Sequence, residues 1–353
     1  VAVQQAADQT ATVAEEDMAP LADIVVTSRR RDERNQDVPV SVVEFSPATL
    51  ERSTVLTIAD IRTISPGLTF SSEGGKDNTA VTLRGIGQIP TGEVTPGVVT
   101  YFANVPMASL GSNVPTYDIG SIQVLKGPQG TLFGRNTPAG VISFNSARPV
   151  PETGGYFQLG MGSYGGLNAE GAFNTALSDG VMLRFSGLHQ RRDDYVDNVL
   201  NGPGDDLEGY RESAFRLQAL VENGDGFEML ANVHMRQLEG TARLFRGGII
   251  QPGTNDLAPG FRRDQVSIDG RNEQDLDQAG ANLRMRWDLG SLTLYSITGV
   301  ESVEAYSRGD IDGGSVYTFP PDEPGESLFP AESADGLPHH KQITQELRME
   351  SNE

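Results

Sequence analysis

The sequence predicts an α+β domain followed by antiparallel transmembrane β-barrel strands, with the barrel incomplete in this chain. Three observations predict it. Up to about residue 150, short strand-like runs mix with helical signals among glycines and prolines. Beyond that, segments of about ten residues alternate apolar and polar, with no helical period. The links between those segments also alternate, tight turn then long polar loop, as in a membrane barrel with short turns at one end and long loops at the other.

Residues 1–37 read as a flexible tail. Residues 1–20 are small, polar and acidic. The short apolar run Ile24, Val25 and Val26 follows, then Arg29 to Arg31, a basic run of the kind that is usually a solvated face. A compact domain is expected over 38–150. "VPVSVVEFS" is a strand. Ser46 and Pro47 stand where an N-cap and a first helical residue belong, so "ATLERS" is a short helix. "TIADIRTI" is a second helix, ended by "SPG". "AVTLRGIG" and "GVVTYFANVPM" are strands, "YDIGSIQVLKG" runs from a turn into another, and "GVISFNSARP" closes the domain.

The strands of the second part are expected near 155–164, 167–177, 181–190, 213–222, 227–238, 280–289, 291–302 and 341–350. In 181–190, Val181, Leu183, Phe185, Gly187 and His189 share one face, and Met182, Arg184, Ser186, Leu188 and Gln190 the other. In 227–238, Phe227, Met229, Ala231, Val233 and Met235 oppose Glu228, Asn232, His234 and Arg236. "SDG" (178–180), "NGDG" (223–226) and "LGS" (289–291) are hairpin turns. Long polar links lie at 191–212, 239–279 and 303–340. Alternation alone also fits a soluble sandwich with one wet face. The asymmetry of the links favours the membrane barrel, whose strands need about 9–11 residues to cross. Eight such strands would close into a barrel nearly filled by its own side chains, too narrow to hold the first domain. Nor does "MESNE" provide the aromatic terminus usual for such barrels. The expectation is that 151–353 supplies about the first eight strands of a longer wall.

Composition narrows the function classes. The net charge is −21. It divides unevenly, 11 basic against 15 acidic residues over 1–150 and 16 against 33 over 151–353. So acidic a chain is a poor partner for nucleic acid. No run approaches the roughly 20 apolar residues of a spanning helix. There is no cysteine, which fits passage through an oxidising compartment and excludes disulfides and thiolate metal sites. No signal peptide opens the chain, so it is either cytosolic or already processed. No carboxylate pair, Ser-His-Asp set or metal-ligand spacing occurs, so no catalytic residue, metal site or cofactor is expected. His339 and His340 lie in a long link, where a solvated pair is the plain reading and contact with a metal chelate the sharper one.

One stretch stands apart. "IQVLKGPQGTLFGRNTPAGVISF" (122–144) places Gly127, Pro128, Gly130, Gly134 and Gly140 between two strand-like ends. It lacks the Lys-Ser/Thr pair of a phosphate loop. It resembles the last plug-domain motif of the TonB-dependent outer-membrane receptors, departing at Gln123 and Lys126, where acid and arginine are commoner, and at "TPAG". "ADIVVTSRRR" is similar to the family's TonB box and linker, placing a box near 21–27. "VTLRGIG" resembles the family's arginine-glycine strand, and "ITQELRM" one of its barrel strands.

The resemblance implies active import of a scarce, bulky ligand, a ferric siderophore before others, across the outer membrane. The partners it implies are TonB with its inner-membrane energising complex, outer-membrane lipid, and a small-molecule ligand such as a metal chelate or oligosaccharide. TonB would engage Asp23, Ile24, Val25, Val26 and Thr27. Such a run can add as a strand to a partner's sheet edge; its plain alternative is an ordinary first strand. Arg84, Gly85, Lys126, Gly127, Pro128, Gly130, Gly134, Arg135 and Gly140 would form the plug motif. Arg84 and Arg135 would be buried charges, paired with barrel Glu346. Ile86, Gln88, Asn104 and Tyr117 would face ligand at the plug apex. The tail is too short for an added signalling domain, so transport without signal transduction is expected. A passive porin-like or ligand-binding outer-membrane barrel, and a secreted β-rich binding protein, remain the alternatives.

Overall fold

In the first domain the most apolar runs of the sequence become its central strands. The computed structural model describes residues 25–26, 33–34, 41–53, 58–72, 76, 79–88, 97–134, 136–200, 206–316, 326–327 and 331–352. The first domain holds β1 (Ser41–Phe45), α1 (Pro47–Arg52), β2 (Leu68–Ser72), β3 (Thr79–Leu83), β4 (Ile86–Gln88), β5 (Val98–Phe102), β6 (Val105–Pro106), β7 (Ile119–Lys126), α2 (Gly130–Phe133) and β8 (Gly140–Ser146). One sheet has the order β1-β7-β8-β5-β6, with β8 antiparallel to β7 and parallel to β5; β2, β3 and β4 form a separate meander. The continuous apolar runs of β7 and β8 are buried on both faces, which is why they do not alternate. Ile122, Val124, Ile142 and Phe144 are fully buried and pack with Ile61, Leu83 and Phe102.

Ser46 caps α1 as its position predicts, its Oγ accepting from the Thr49 amide at 3.4 Å. The second expected helix is a six-residue 3₁₀ turn, Ile58–Thr63. The Ser65-Pro66-Gly67 stop comes too soon for a stable α-helix, and a short tight turn is the usual result. The glycine-rich stretch is the β7–β8 connection, with α2 inside it. Gly140 has φ +151°, and a Cβ there would stand 2.1 Å from the Leu125 carbonyl. Close backbone packing in this sheet therefore requires glycine.

The second part is one sheet of eight sequential antiparallel strands. These are β9 (Gly154–Met161), β10 (Leu167–Ser178), β11 (Val181–Arg192), β12 (Tyr210–Glu222), β13 (Phe227–Gly240), β14 (Glu273–Asp288), β15 (Leu292–Asp310) and β16 (Glu332–Ser351). The hairpin turns fall at the expected places, but the strands from β12 onward run longer than the sequence suggested. Their tight-turn ends are called inner below and their long-loop ends outer. Met182, Ser186, Leu188 and Gln190 are buried on the lumen face, as are Asn232, His234 and Arg236. Phe185, Val233 and Met235 stand exposed on the opposite face.

The outer links are more structured than polar sequence suggests. Val196, Leu207, Val266 and Ile268 form a small core of their own. Asp197–Asn198 pairs in parallel with Gln265–Val266, and the Asn198 side chain accepts from the Ile268 amide and donates to its carbonyl.

Candidate functional site

The lumen face of the wall grips the first domain at two charged points. The deeper one centres on Asp118, at the start of β7. Asp118 has φ +48° and is buried. Arg184 of β11 binds both of its carboxylate oxygens, from Nε at 3.2 and 2.9 Å and from Nη2 at 2.5 Å. Arg216 of β12 donates to the Asp118 carbonyl at 3.3 Å and is only 2% exposed. Its guanidinium lies between the rings of Phe102 and Tyr117, 4.8 and 4.6 Å from their centroids. A buried cation is costly unless partnered, and two ring faces with a carbonyl meet part of that cost. The Tyr117 phenol is pushed above its ordinary value, first by burial. Beside it, His234 packs edge-on against Phe102 and contacts buried Glu301 at 3.3 Å.

The outer point has the opposite polarity. Lys76 reaches Glu212 of β12 at 2.5 Å, and Arg236 of β13 holds the other oxygen of that carboxylate at 2.8 Å. The Lys76 ammonium sits 3.8 Å above the Tyr210 ring and donates to Gln190 at 3.4 Å. Asn113 donates to the Lys76 carbonyl at 2.6 Å. Burial holds the Lys76 ammonium below the usual lysine value, and Glu212 opposes that shift. Arg192 lies over the rings of Tyr195 and Tyr210, and Tyr195 stacks on Tyr164. Sequence reasoning missed Lys76, Asn113, Glu212 and Arg236. A lysine beside glycines carries no local signal, and inward charges on two strands announce a wet face but not a partner.

Apolar contact completes the seat. Ala108 packs on Leu238, Leu276 and Val303. Gln342 donates to the Pro106 carbonyl at 2.7 Å. A Cβ at Gly299 would stand 2.5 Å from Val105, so the wall is bare where the domain comes closest.

Several expected site residues lie elsewhere. Arg84 is exposed rather than buried and donates to Ser41 Oγ at 3.4 Å. It makes no pair with Glu346, which contacts Arg348 at 3.4 Å. The physical reason is the sheet's direction. The end carrying Arg84, Lys126, Gly127 and Gly140 points away from these eight strands, while the end at Asp118 meets them. Lys126 donates to the Pro66 carbonyl, and burial and then Arg84 hold its ammonium below the ordinary value. Ile86 is half exposed and neighbours Gly97. Asn104 lines an inner cavity of about 780 Å³ with Arg284, Arg286 and Tyr295. Tyr117 is buried beneath Arg216. Gly85, Gly127 and Gly134 take positive φ; Pro128 and Gly130 are exposed in the β7–β8 connection. Asp23, Ile24, Thr27, Arg135 and the Gln88 side chain lie outside the described residues. Val25–Val26 pairs antiparallel with Glu33–Arg34. His339 is exposed and contacts Glu304 at 2.9 Å on the outward face.

A domain seated on the lumen face of an antiparallel wall is a specific arrangement, and comparison with known proteins bears on it directly. Residues 34–141 match the family model described as TonB-dependent Receptor Plug Domain. The chain carries the plug of a TonB-dependent receptor. It is 27% identical over 192 residues to the pesticin receptor of Yersinia pestis, covering 54% of this chain and 28% of that protein. It is 28% identical over 189 residues to the vitamin B12 transporter BtuB of Vibrio vulnificus, covering 53% of this chain and 30% of that one. In fold it is similar to the open form of the ferric-catecholate import receptor Fiu from E. coli K12, with TM-score 0.70 and 16% identity over 92% of this chain and 48% of that one. The chain thus spans less than a third of those two curated relatives and about half of the solved one. Plug and wall belong to the receptor architecture, whose place is the bacterial outer membrane. The relatives are named as receptors and transporters.

Proposed function

We propose that this receptor actively imports a bulky, scarce ligand, with a ferric siderophore as the ligand class, and that TonB pulls on residues 23–27 to rearrange the plug. The observation that carries this reading is the outer grip. Lys76 and Asn113 bring the plug to the wall directly beneath the long loops, so a ligand that passes those loops meets the plug there. The plug-family match supports the TonB dependence, and the likeness in fold to a ferric-catecholate import receptor supports the ligand class. Arg84, Gly85, Lys126, Gly127, Pro128, Gly130, Gly134, Arg135 and Gly140 serve as the plug motif in this reading. Val25 and Val26 hold strand geometry, the form in which a segment adds to a partner's sheet edge.

Val25→Pro removes a backbone donor from that strand. Uptake is expected to stop, with ligand binding and outer-membrane abundance retained. Undiminished uptake would sink the TonB reading and favour a passive barrel. The ligand class is read separately from receptor abundance in isolated outer membranes, with and without an iron chelator. A strong rise on chelation supports an iron chelate. No rise moves the search to cobalamin, the ligand named for BtuB, and to sugars.

A further inference from the structure

The outer end of β15 carries a pair of carboxyls that plug and transport leave unused. Asp310, the last residue of that strand, is fully buried. It stands well beyond 291–302, the stretch that the sequence assigns to the membrane crossing. Its Oδ2 accepts the Gly270 amide at 2.9 Å and its Oδ1 the Gly313 amide at 2.8 Å. Gly270 belongs to the link 241–272 and Gly313 to the link 311–331, so one carboxyl joins two outer links. Asp312 does the same within its own link, accepting the amides of Gly314 at 3.0 Å and Ala331 at 2.6 Å. The two backbones also meet directly. Gly247 donates to the Gly313 carbonyl at 2.7 Å, and Asp269 to that of Gly314 at 3.3 Å. Gly313 has φ +73°, and a Cβ there would stand 2.5 Å from the Gly247 nitrogen, so this approach needs glycine.

Asp310 and Asp312 hydrogen-bond to each other. Two buried carboxylates in contact repel, and sharing a proton removes the conflict. The amides of Gly270 and Gly313 favour the charged form of Asp310. Burial, the largest effect, and Asp312 oppose them, and the Asp310 carboxyl is pushed up to about 6. The charged groups around it come from three elements. Glu332 of β16 and Arg308 of β15 pair with each other. From the link 241–272 come Asp269, Arg271, Arg243 and Arg246, and the Arg246 guanidinium is bonded to the carbonyls of Arg262, Arg263 and Gln265.

We infer that a single proton shared by Asp310 and Asp312 ties the two outer links together, so that the outer surface of this receptor tightens in acid and loosens towards neutral pH. On loosening, the proton passes to solvent and both carboxyls are ionised. The tied state binds more protons than the untied one between the ordinary aspartate value of 3.8 and about 6. Its stability therefore falls as pH rises through that window and is level above it. The tie holds whatever ligand the receptor carries.

The test is amide hydrogen exchange, read by mass spectrometry on the detergent-purified full-length receptor in EDTA, with rates corrected for the intrinsic effect of pH. Exchange in 268–272 and 311–316 is expected to quicken about tenfold from pH 5 to pH 7.5. Asp310→Asn keeps the size of the group and removes its titration, so the change should vanish. Glu332→Gln should retain it, because the Arg271 amide and Arg308 hold that carboxyl below its ordinary range and it stays ionised throughout. Resistance to sodium dodecyl sulfate at room temperature confirms that each variant is folded. A flat wild-type profile overturns the inference, as does a slope that survives in Asp310→Asn. An equal change in peptides from β12 overturns it by marking a global effect. Loss of the slope in Glu332→Gln does so by assigning the proton to that residue. Calcium chloride that restores slow exchange at pH 7.5 also overturns it, by giving the pair to a cation in place of a proton.

Discussion

The two charged grips on the plug use opposite designs. At the deep grip the plug supplies the acid, and two wall arginines converge on Asp118. At the outer grip the wall supplies the acid, and Glu212 is shared between plug Lys76 and wall Arg236. In the first, the wall meets the plug acid with two arginines, and removing the plug leaves Arg184 without its carboxylate partner. In the second, the wall keeps its own Arg236–Glu212 pair when the plug leaves. The deep grip therefore resists release, and the outer grip can open at little cost. That suits an apex that yields while the base stays seated.

The largest expected effect tests that asymmetry. Asp118→Ala leaves Arg184 without its carboxylate, while Arg216 keeps the main-chain carbonyl, and should destabilise the seated plug by about 3–5 kcal/mol, as for any broken buried pair. Protease accessibility of the plug in detergent-purified protein is the measurement. An unchanged cleavage rate would show that the ring faces around Arg216 suffice. Glu212→Gln comes next, at about 2–3 kcal/mol, because Arg236 loses its partner along with Lys76. Lys76→Met should cost under about 1 kcal/mol, since the wall pair survives. If Lys76→Met proved as damaging as Asp118→Ala, the contrast between the grips would collapse.

Gly299→Ala sharpens the comparison from the apolar side. The new Cβ meets Val105 at 2.5 Å and must displace it, at about 1–3 kcal/mol in the same assay.

The smallest effect is a pH dependence. Burial lowers the pKa of seated Lys76 below the ordinary 10.5, so in the window just below that value the free plug binds more protons than the seated one. Stability of the outer grip should rise with pH across that window and lose a little on return to neutrality. The wild-type slope, compared with that of Lys76→Met, isolates it. Identical slopes would show that Lys76 titrates alike in both states.

Legibility followed locality. The alternation of 181–190 and 227–238 specified both faces of their strands, because side chains alternate strictly in an extended chain. The hairpins were legible because "SDG" and "NGDG" carry their own conformational demand. The Ser46 cap was legible for the same reason. By contrast, Ile86 and Asn104 were expected at the apex only through the family resemblance, and a resemblance of motifs carries no information on the angle at which the domain sits on the wall. The small core beneath the outer loops joins Val196 to Ile268 across a link and two strands, too far apart for any periodicity to connect them.

From sequence alone came the division into plug and wall, the eight strands, their inward and outward faces, the motif of 122–144 and the family it belongs to. These are local: period-two alternation, turn residues with special backbone demands, and apolar runs that must be buried. Only the tertiary structure decided which charges meet, placing Asp118 against Arg184 and Lys76 against Glu212 while turning Arg84 away from the strands. Ion pairs between distant segments depend on the angle at which one domain docks on another. That angle is set by the sum of many contacts, among them Val105 on bare Gly299 and Ala108 on Leu276, and no single residue encodes it.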